Sequence, residues 1–354
     1  MALPRFARES MSKVVSSVRP VLSWIGAGAA YARVYNVQGA IVVMYHSVAT
    51  PEQEPLVSPS ISVPVAVFEA QMRYLARNRR VVPMDQIIDA LAERRTLPLG
   101  TVALTFDDGY RDTLEIAAPI LARYELPATL YLATGYVDRG ENQWIDELHA
   151  MFGSRRDDEL VLSRPGPAAR TYNLSRPADM ARARADLNEI LISLSAVERR
   201  VLLDEIAAQL RPTRGLPRLT LSWAEVKTLV GRHPNISIGS HTRDHTDLSA
   251  CDAGTRDAEI TTSIADVGAN LGLGVSHFTY PYGRAMRHGE KLLGKLGLRS
   301  ACVTEPARPI DANTSPYAIM RFEAPRDMSL FRLLVSGVHS RFPRRWSAAP
   351  AVDA

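Results

Sequence analysis

The sequence predicts an α/β fold and, within that class, a distorted or incomplete (β/α) barrel. Short apolar runs typical of buried strands alternate with helical patterns over most of the 354 residues. This alternation indicates parallel strands joined by helices, and seven strands fit a barrel better than an open sheet. The seven predicted strands are residues 41–45, 101–106, 128–133, 236–239, 277–280, 300–304 and 318–322.

Helical periodicity fills the segments between these runs. Ser222 and Glu225 have the spacing of a capping box, in which both side chains satisfy free backbone N–H groups, so we expect a helix to begin there. The predicted helices are residues 67–78, 86–94, 114–124, 223–230, 255–271 and 290–296.

The alternation breaks between about residues 141 and 219. Residues 164–178 are rich in proline and arginine and predict a loop, whereas residues 180–194 and 196–210 predict two helices. Ser195 and Glu198 form a second capping box before the later helix. We therefore predict a helical insertion, and the sequence leaves open whether it is a lid, a partner surface or packing.

The positive charge is concentrated at the start of the chain. The net charge is +4, and residues 1–40 account for all of it. They contain Arg5, Arg8, Lys13, Arg19 and Arg33 against Glu9. The rest of the chain is neutral in sum, so the basic pI indicates no nucleic-acid-binding face. Cys251 and Cys302 are too few for a disulfide framework.

Residues 1–38 are a basic leader with a short apolar run at residues 21–32. Three interpretations stay open: a weak signal peptide, a leader packed loosely on the domain, or a basic amphipathic helix that contacts an anionic membrane through residues 1–40. No apolar run reaches the roughly 18 residues needed for a spanning helix. We expect a cytoplasmic protein or one peripheral at the inner membrane, and the signal-peptide interpretation leaves the periplasm and secretion open.

One large domain is expected over residues 39–341, followed by a disordered tail at 342–354. Within this domain, Asp107 and Asp108 come directly after a predicted strand, and His241 and His245 follow another at a spacing of i and i+4. One carboxylate and two imidazoles form a three-ligand set for a divalent cation, with an open position for water. This set predicts metal-assisted hydrolysis.

The two carboxylates need different roles in such a site. Coordination would keep Asp108 ionised, and Asp107 beside it could accept a proton from water activated by the metal. Arg321 could hold Asp107 ionised through a charge-assisted hydrogen bond, and the alternative for Arg321 is a surface salt bridge.

Three motifs together resemble the polysaccharide deacetylases of the NodB-homology type, carbohydrate esterase family 4. They are TFDDGY at residues 105–110, SHTRDH at 240–245 and YPYG at 280–283. The resemblance spans roughly residues 40–335. The MYHSV segment at 44–48 and the segment around Arg321 resemble a bacterial branch of the family associated with exopolysaccharide synthesis.

The resemblance implies a NodB-homology barrel and an N-acetylated glycan as substrate. It implies Asp108, His241 and His245 as metal ligands and Asp107 as the general base. It also implies that the backbone N–H of Tyr282 donates to the oxyanion of the tetrahedral intermediate. The cofactor would be one divalent ion, Zn²⁺ first, with Co²⁺, Ni²⁺ or Mn²⁺ also accepted by this ligand set.

The sequence departs from the family pattern in two places. The third motif lacks the usual arginine before Pro-Tyr-Gly, and Arg321 could orient the base instead. No clear copy of the late histidine that serves as general acid is present. His46, directly after the first predicted strand, is the preferred candidate; His339, in a predicted helix, is the second, and a third alternative is that neither serves.

The predicted function is therefore metal-dependent removal of N-acetyl groups from an amino-sugar polysaccharide or oligosaccharide, with His46 protonating the departing amine. One alternative is a related metallohydrolase that acts on O-acetyl esters, cyclic imides or small amides. Another is a non-catalytic glycan-binding or assembly protein. Trp144 and Tyr110 are candidates for stacking on a sugar, although packing within the fold is the alternative for Trp144.

Overall fold

The computed structural model describes residues 39–98, 100–163, 169–304 and 310–337. The basic leader, the C-terminal tail and His339 lie outside these ranges, so the predictions made for them stay predictions. Among the described residues, no helix combines the length and apolar character needed to cross a bilayer.

Twelve strands occur in the described part of the chain. They are β1 (Ala40–Tyr45), β2 (Ser47–Ala49), β3 (Ser62–Pro64), β4 (Arg80–Val81), β5 (Thr101–Phe106), β6 (Ala128–Leu132), β7 (Glu159–Leu162), β8 (Arg170–Asn173), β9 (Ile236–Ser240), β10 (His277–Thr279), β11 (Ser300–Val303) and β12 (Ile319–Glu323).

The helices lie between these strands, and a π-helical turn at Thr113–Ala117 leads into the third of them. They are α1 (Val65–Asn78), α2 (Met84–Ala92), α3 (Ala118–Arg123), α4 (Thr134–Arg139), α5 (Trp144–Ser154), α6 (Pro177–Ser193), α7 (Ala196–Leu210), α8 (Trp223–Arg232), α9 (Ala253–Leu271), α10 (Gly289–Lys295) and α11 (Met328–Leu334).

Seven parallel strands close into a barrel, as the sequence predicts. Their order is β1-β12-β11-β10-β9-β6-β5, and the pairing of β5 with β1 completes the ring. The short strand β4 pairs in parallel with the first residues of β5, beside the ring rather than within it. All seven predicted strands are present, with ends that differ by no more than one residue. They were predictable because a strand buried on both faces is a continuous apolar run.

Alternation along the strands divides the barrel residues into two packed layers. Val42, Ala103 and Ile319 point inward and share one cluster with Ile87 and Ile88 of α2, which therefore covers the N-terminal end of the barrel. The residues between them in sequence point outward and pack against the surrounding helices in the main hydrophobic core. The C-terminal end of the barrel is left for polar side chains.

The insertion contains the two predicted helices, α6 and α7, and Ser195 and Glu198 form the expected capping box. The prediction of a loop over residues 164–178 is wrong in part, because β8 lies within it and pairs antiparallel with β7. Leu160, Leu162 and Tyr172 of this hairpin are buried in a hydrophobic cluster that belongs to the insertion. The strands are only four residues long, which is too short for the apolar alternation to be recognised.

Candidate metal centre and active site

The polar residues of the site come directly after barrel strands, where the C-terminal ends meet. His46 follows β1, Asp107 follows β5 and His241 follows β9. Tyr45 and Phe106 are paired across β1 and β5, so the next residues, His46 and Asp107, lie at the same height in the barrel. Parallel strands therefore bring together residues that are far apart in the sequence.

Asp108, His241 and His245 converge on one point. Asp108 Oδ1 lies 3.6 Å from His241 Nε2 and 3.5 Å from His245 Nε2, and the two Nε2 atoms are 3.1 Å apart. Tetrahedral coordination with bonds of about 2.0–2.2 Å separates ligand atoms by about 3.3–3.6 Å. The two distances from Asp108 fall in this range and the distance between the two nitrogen atoms is slightly shorter, so a small adjustment of the rings would let the three atoms bind a single cation.

The protonation of the two histidines suits metal binding. His241 Nδ1 lies 2.9 Å from the carbonyl oxygen of Thr279, and an Nδ1–H that donates there leaves the lone pair on Nε2. Burial lowers the pKa of His241. Burial, and after it the neighbouring His241, lowers the pKa of His245 well below its usual value. Both rings are therefore neutral, which is the form that binds metals.

The surroundings of Asp108 test, independently of the distances, whether a cation fits between these residues. Its Oδ1 is buried and has no hydrogen-bond partner. Burial first, and then the charge of Asp107, raises the pKa of Asp108 well above its usual value. An unpaired carboxylate oxygen that faces two imidazole nitrogens is unfavourable alone and favourable around a cation. The donor set therefore fits a divalent metal.

Asp107 is held by Arg321 from inside the barrel. Arg321 Nη1 donates to Asp107 Oδ1 at 2.7 Å, and Nη2 donates to Oδ2 at 2.6 Å. The same guanidinium donates to the hydroxyl groups of Thr105 at 3.2 Å and Thr279 at 2.6 Å, and it lies over the ring of Tyr131. Arg321 is therefore a buried partner of the aspartate and not a surface salt bridge.

The contact with Arg321 keeps the carboxylate of Asp107 ionised. Burial acts to raise the pKa of Asp107, but the opposing effects, of which the charge of Arg321 is the largest, outweigh it, so the pKa lies below its usual value. Asp107 Oδ2 is 3.9 Å from His241 Nε2. An ionised carboxylate that is not needed as a ligand thus lies beside the three ligand atoms.

His46 is half-buried at the same end of the barrel. Burial lowers its pKa to about 4, and the charge of Asp107 opposes that shift. Because Tyr45 is paired with Phe106, His46 lies at the height of Asp107 at the C-terminal end of the barrel. His339 lies outside the described residues.

Tyr282 closes the site on the side of β10. Its φ is 58°, and its ring packs edge-on against His245 with 4.6 Å between the centroids. Gly283, which follows, also has a positive φ, and a Cβ there would collide with Thr304. The third motif therefore needs this glycine for both conformation and space.

The structure does not leave Trp144 and Tyr110 free to stack on a sugar. Both are buried, and the Trp144 indole N–H donates to the hydroxyl oxygen of Tyr282 at 3.3 Å. The Tyr110 hydroxyl donates to the carboxylate of Asp146. Both residues instead take part in contacts between the insertion and loops of the candidate site.

Strained backbone is concentrated at the site. Four non-glycine residues there have positive φ angles: Asp108 at 70°, Thr242 at 65°, His245 at 53° and Tyr282 at 58°. Such conformations cost about 1–3 kcal/mol each and persist only where the surrounding structure imposes them. The contacts that hold these four residues in their left-handed conformations are therefore part of the site.

Several of these supporting residues were not found from the sequence. Thr105 and Thr279 bind the guanidinium of Arg321, and Glu259 and Arg199 bind the loop that contains His245. One signal was present: Arg199 occupies the same helix face as the buried residues of α7, Leu203, Ile206 and Leu210. A charged residue on an apolar face indicates a buried polar partner.

Comparison with known proteins gives a family match over most of the barrel. The model of the polysaccharide deacetylase family matches residues 94–301. A curated relative, YxkH from Bacillus subtilis (strain 168), is named as a candidate polysaccharide deacetylase and is 31% identical over 93 residues. That match spans 26% of this chain and 30% of the length of the relative.

Two solved structures share the fold. The deacetylase PplD of Streptococcus pyogenes, in complex with acetate, superposes with a TM-score of 0.54, covering 84% of this chain and 98% of PplD at 18% identity. IcaB from Ammonifex degensii gives a TM-score of 0.52, covering 85% of this chain and 97% of IcaB, also at 18% identity. At this identity the similarity concerns the fold.

Proposed function

The chain belongs to the polysaccharide deacetylase family, and we propose that it is a metal-dependent hydrolase that removes N-acetyl groups from an amino-sugar polysaccharide or oligosaccharide. The observation that carries this proposal is the convergence of Asp108, His241 and His245 beside an ionised, unliganded Asp107. A three-ligand set with an adjacent base is the arrangement that hydrolytic metal sites use.

The proposed ligand atoms are Asp108 Oδ1, His241 Nε2 and His245 Nε2. When bound, the cation would act as a Lewis acid that lowers the pKa of water and polarises the acetyl carbonyl. Zn²⁺ is the proposed ion because two imidazoles and one carboxylate are among its usual ligands, and Co²⁺, Ni²⁺ and Mn²⁺ are the alternatives.

Asp107 would be the general base. Its Oδ2 is the carboxylate oxygen near the ligand set and would accept the proton of the attacking water. Arg321 occupies one lone pair of each carboxylate oxygen and opposes the effect of burial. The guanidinium would thereby orient the base and keep it ionised until the proton arrives.

Tyr282 and His46 would complete the reaction. The backbone N–H of Tyr282 is proposed to donate to the oxyanion that forms on the acetyl carbon. His46 is proposed to protonate the departing nitrogen, which would otherwise leave poorly as an amide anion. Since the pKa of His46 is lowered to about 4, His46 is neutral in the free protein. It would pass to the departing nitrogen the proton that the attacking water gives up to Asp107.

The substitution Asp107→Asn tests this assignment. Removal of the base should lower acetate release from N-acetylated chito-oligomers by about 10²- to 10⁴-fold, because the amide cannot accept the proton. The metal content should stay as in the wild type, since Asp107 is not a proposed ligand. Acetate release and elemental analysis measure the two quantities.

Two further variants complete this experiment. His241→Ala should lose both metal and activity, because it removes a proposed ligand. The matched control, Asp257→Asn, changes an exposed aspartate of α9 and should alter neither quantity. Normal turnover by Asp107→Asn would contradict the proposed role of the base.

The substrate requires a separate test, because O-acetyl esters, cyclic imides and small amides could use the same ligands. Acetate release should be compared on chitin oligomers, poly-N-acetylglucosamine, peptidoglycan and acetylated xylan, with a cyclic imide and a small amide assayed for their own products. We expect activity on the N-acetylated glycans. Activity confined to acetylated xylan would indicate an esterase, and no hydrolysis of any substrate by metal-loaded protein would favour a glycan-binding role.

We also propose that residues 1–40 make a peripheral contact with anionic membranes, because the net positive charge of the chain is concentrated there. Such a contact would place the enzyme in the cytoplasm or at the inner membrane. The full chain should bind vesicles that contain anionic lipid more strongly than a chain lacking residues 1–40. Equal binding by both would remove the support for this localisation.

A further inference from the structure

The peptide groups next to His245 are bound from both sides by buried charged side chains. The N–H of Asp244 donates to Glu259 Oε2 at 2.8 Å. The carbonyl oxygen of the same residue, which belongs to the peptide bond with His245, accepts from Arg199 Nη1 at 3.3 Å. Asp244 is therefore held at its amide and at its carbonyl immediately before a proposed metal ligand.

Glu259 provides the barrel side of this arrangement. It belongs to α9 and is buried. Its Oε2 also accepts from the backbone N–H of Arg243 at 3.0 Å, and its Oε1 accepts from the Thr246 hydroxyl at 2.8 Å. The carboxylate thus binds residues on both sides of His245.

Arg199 provides the insertion side. Only 2% of its surface is exposed, and its guanidinium makes no ion pair in the described part of the chain. It donates instead to the carbonyl oxygens of Leu191 at 3.0 Å and Leu194 at 3.1 Å, at the end of α6, and to the Tyr136 hydroxyl at 3.1 Å. Arg199 therefore connects the junction of α6 and α7 to the loop of His245.

The conformation of His245 requires such support. Its φ of 53° lies in the left-handed region, where a residue with a Cβ is strained. Its Nδ1 has no hydrogen-bond partner, so the side chain lacks the contact that orients His241 through Thr279. The backbone must therefore supply the orientation that a hydrogen bond to the ring supplies for the first histidine.

We propose that Arg199 and Glu259 are positioning residues that fix His245 by binding the adjacent peptide groups from opposite sides, which makes the insertion a structural part of the metal site. This inference rests on the metal-dependent function proposed above. Outer-shell partners of metal ligands affect metal affinity by about 10- to 100-fold. Substitution of Arg199 or Glu259 should weaken metal binding to that extent, although neither residue contacts the side chain of a proposed ligand.

The test compares Arg199→Met with Arg155→Met in the full-length protein. Arg155 is the matched control, because it also donates to backbone carbonyl oxygens, those of Phe152 and Leu174, but entirely within the insertion. Three quantities are measured: the unfolding midpoint of the metal-free protein, the Co²⁺ affinity by chelator competition, and the visible d–d absorption of the Co²⁺ form.

Both substitutions should lower the unfolding midpoint, since both remove hydrogen bonds of the insertion. Only Arg199→Met should weaken Co²⁺ binding, by about 10- to 100-fold, and change the shape of the absorption band. Arg199→Lys, which keeps one charged donor, should recover part of the affinity. Wild-type affinity and absorption in Arg199→Met would overturn the proposal.

Glu259→Gln keeps the inference testable if Arg199→Met does not fold. The amide keeps the size of the side chain but loses the charge that binds the two N–H groups, so Co²⁺ affinity should fall. Wild-type affinity in both Glu259→Gln and Arg199→Lys would overturn the proposal in that case. A wild-type protein that binds no Co²⁺ would instead contradict the metal centre itself, so the two failures are distinguishable.

Discussion

The barrel and the insertion contribute to the site in different ways. The barrel supplies the proposed base, the proposed metal ligands and the proposed acid, all after strands whose register brings them together. The insertion supplies none of these groups and has its own hydrophobic core. It nevertheless makes a polar contact with three loops of the candidate site, through Asp146 to Tyr110, Trp144 to Tyr282 and Arg199 to Asp244.

This difference shows that reactive groups and their support can have separate origins. Reactive groups must lie at strand ends, so their positions follow from the fold. Supporting contacts only have to reach a loop, so any region that packs nearby can provide them. We expect changes in the barrel to affect chemistry and stability together, and changes in the insertion to act mainly through the geometry of the loops.

The largest effect is expected for Arg321→Met, which leaves the buried Asp107 without its partner. Removing one member of a buried pair costs about 3–5 kcal/mol, and acetate release should fall because burial then raises the pKa of the base. Arg299→Met is the control: its ion pairs with Asp85 and Asp89 are at the surface and contribute about 0–1 kcal/mol. Denaturant unfolding measures both, and equal losses would contradict the buried pair.

Truncation of the two hydrophobic cores should separate the regions. Leu104→Ala in the barrel and Leu187→Ala in the insertion both remove a fully buried side chain, at a cost of about 2–5 kcal/mol. Hydrogen exchange should accelerate throughout the chain for Leu104→Ala, but first within residues 141–219 for Leu187→Ala. The same exchange pattern in both variants would mean that the insertion has no independent core.

The pH dependence of stability should involve a buried carboxyl group on each side of the boundary. Burial raises the pKa of Asp112 to about 7 and that of Asp146 to about 6, despite hydrogen bonds from Ser47 and Tyr110 that act in the opposite direction. The folded protein then binds more protons than the unfolded chain, so these groups make stability fall as pH rises from about 4.

Asp112→Asn and Asp146→Asn should therefore flatten the pH profile of the unfolding free energy. The change should extend to about pH 7 for Asp112 and to about pH 6 for Asp146, because stability is lost as the pH rises through the pKa of each group in the folded protein. Urea unfolding at successive pH values gives the profiles. A variant that follows the wild-type curve throughout its range would show that the carboxyl group has a normal pKa.

The smallest effect is expected for Trp144→Phe, which keeps the ring but removes the hydrogen bond to Tyr282. Such a bond contributes about 0.5–1.5 kcal/mol, so the rate of acetate release should change less than in the preceding variants of the site. Trp223→Phe is the control, because that indole donates to Asp138 at the surface. A loss of activity as large as that of Asp107→Asn would assign Trp144 a direct catalytic role.

Features whose evidence lies within one short segment were predictable from the sequence. The seven barrel strands are apolar runs of three to six residues, and the proposed ligands belong to recognisable motifs at the ends of two of these strands. The strands missed were β2, β3, β4, β7 and β8, which have only two to four residues and lie outside the seven-stranded ring. For Arg321 the contact with Asp107 was expected, whereas the hydroxyl partners Thr105 and Thr279 were not.

Arg199 and Glu259 were missed for a different reason. They act on peptide groups, which every residue has, so no residue-type motif marks the contact. Only the position of Arg199 on the buried face of α7 indicated that its guanidinium has a buried polar partner. The outer shell of a site is therefore less predictable than its reactive groups, because backbone recognition leaves little trace in the sequence.

The packing of the barrel interior below Arg321 determines which route substrate and product can take to and from the site. Tyr131 and Cys302 fill the barrel beneath the guanidinium, and Ile87 of α2 packs in the same cluster at the opposite end. These described residues therefore block passage along the barrel axis, so the proposed glycan substrate, water and acetate would all use the C-terminal end of the barrel. We expect accumulated acetate to obstruct the next sugar, which would appear as competitive product inhibition in initial-rate measurements.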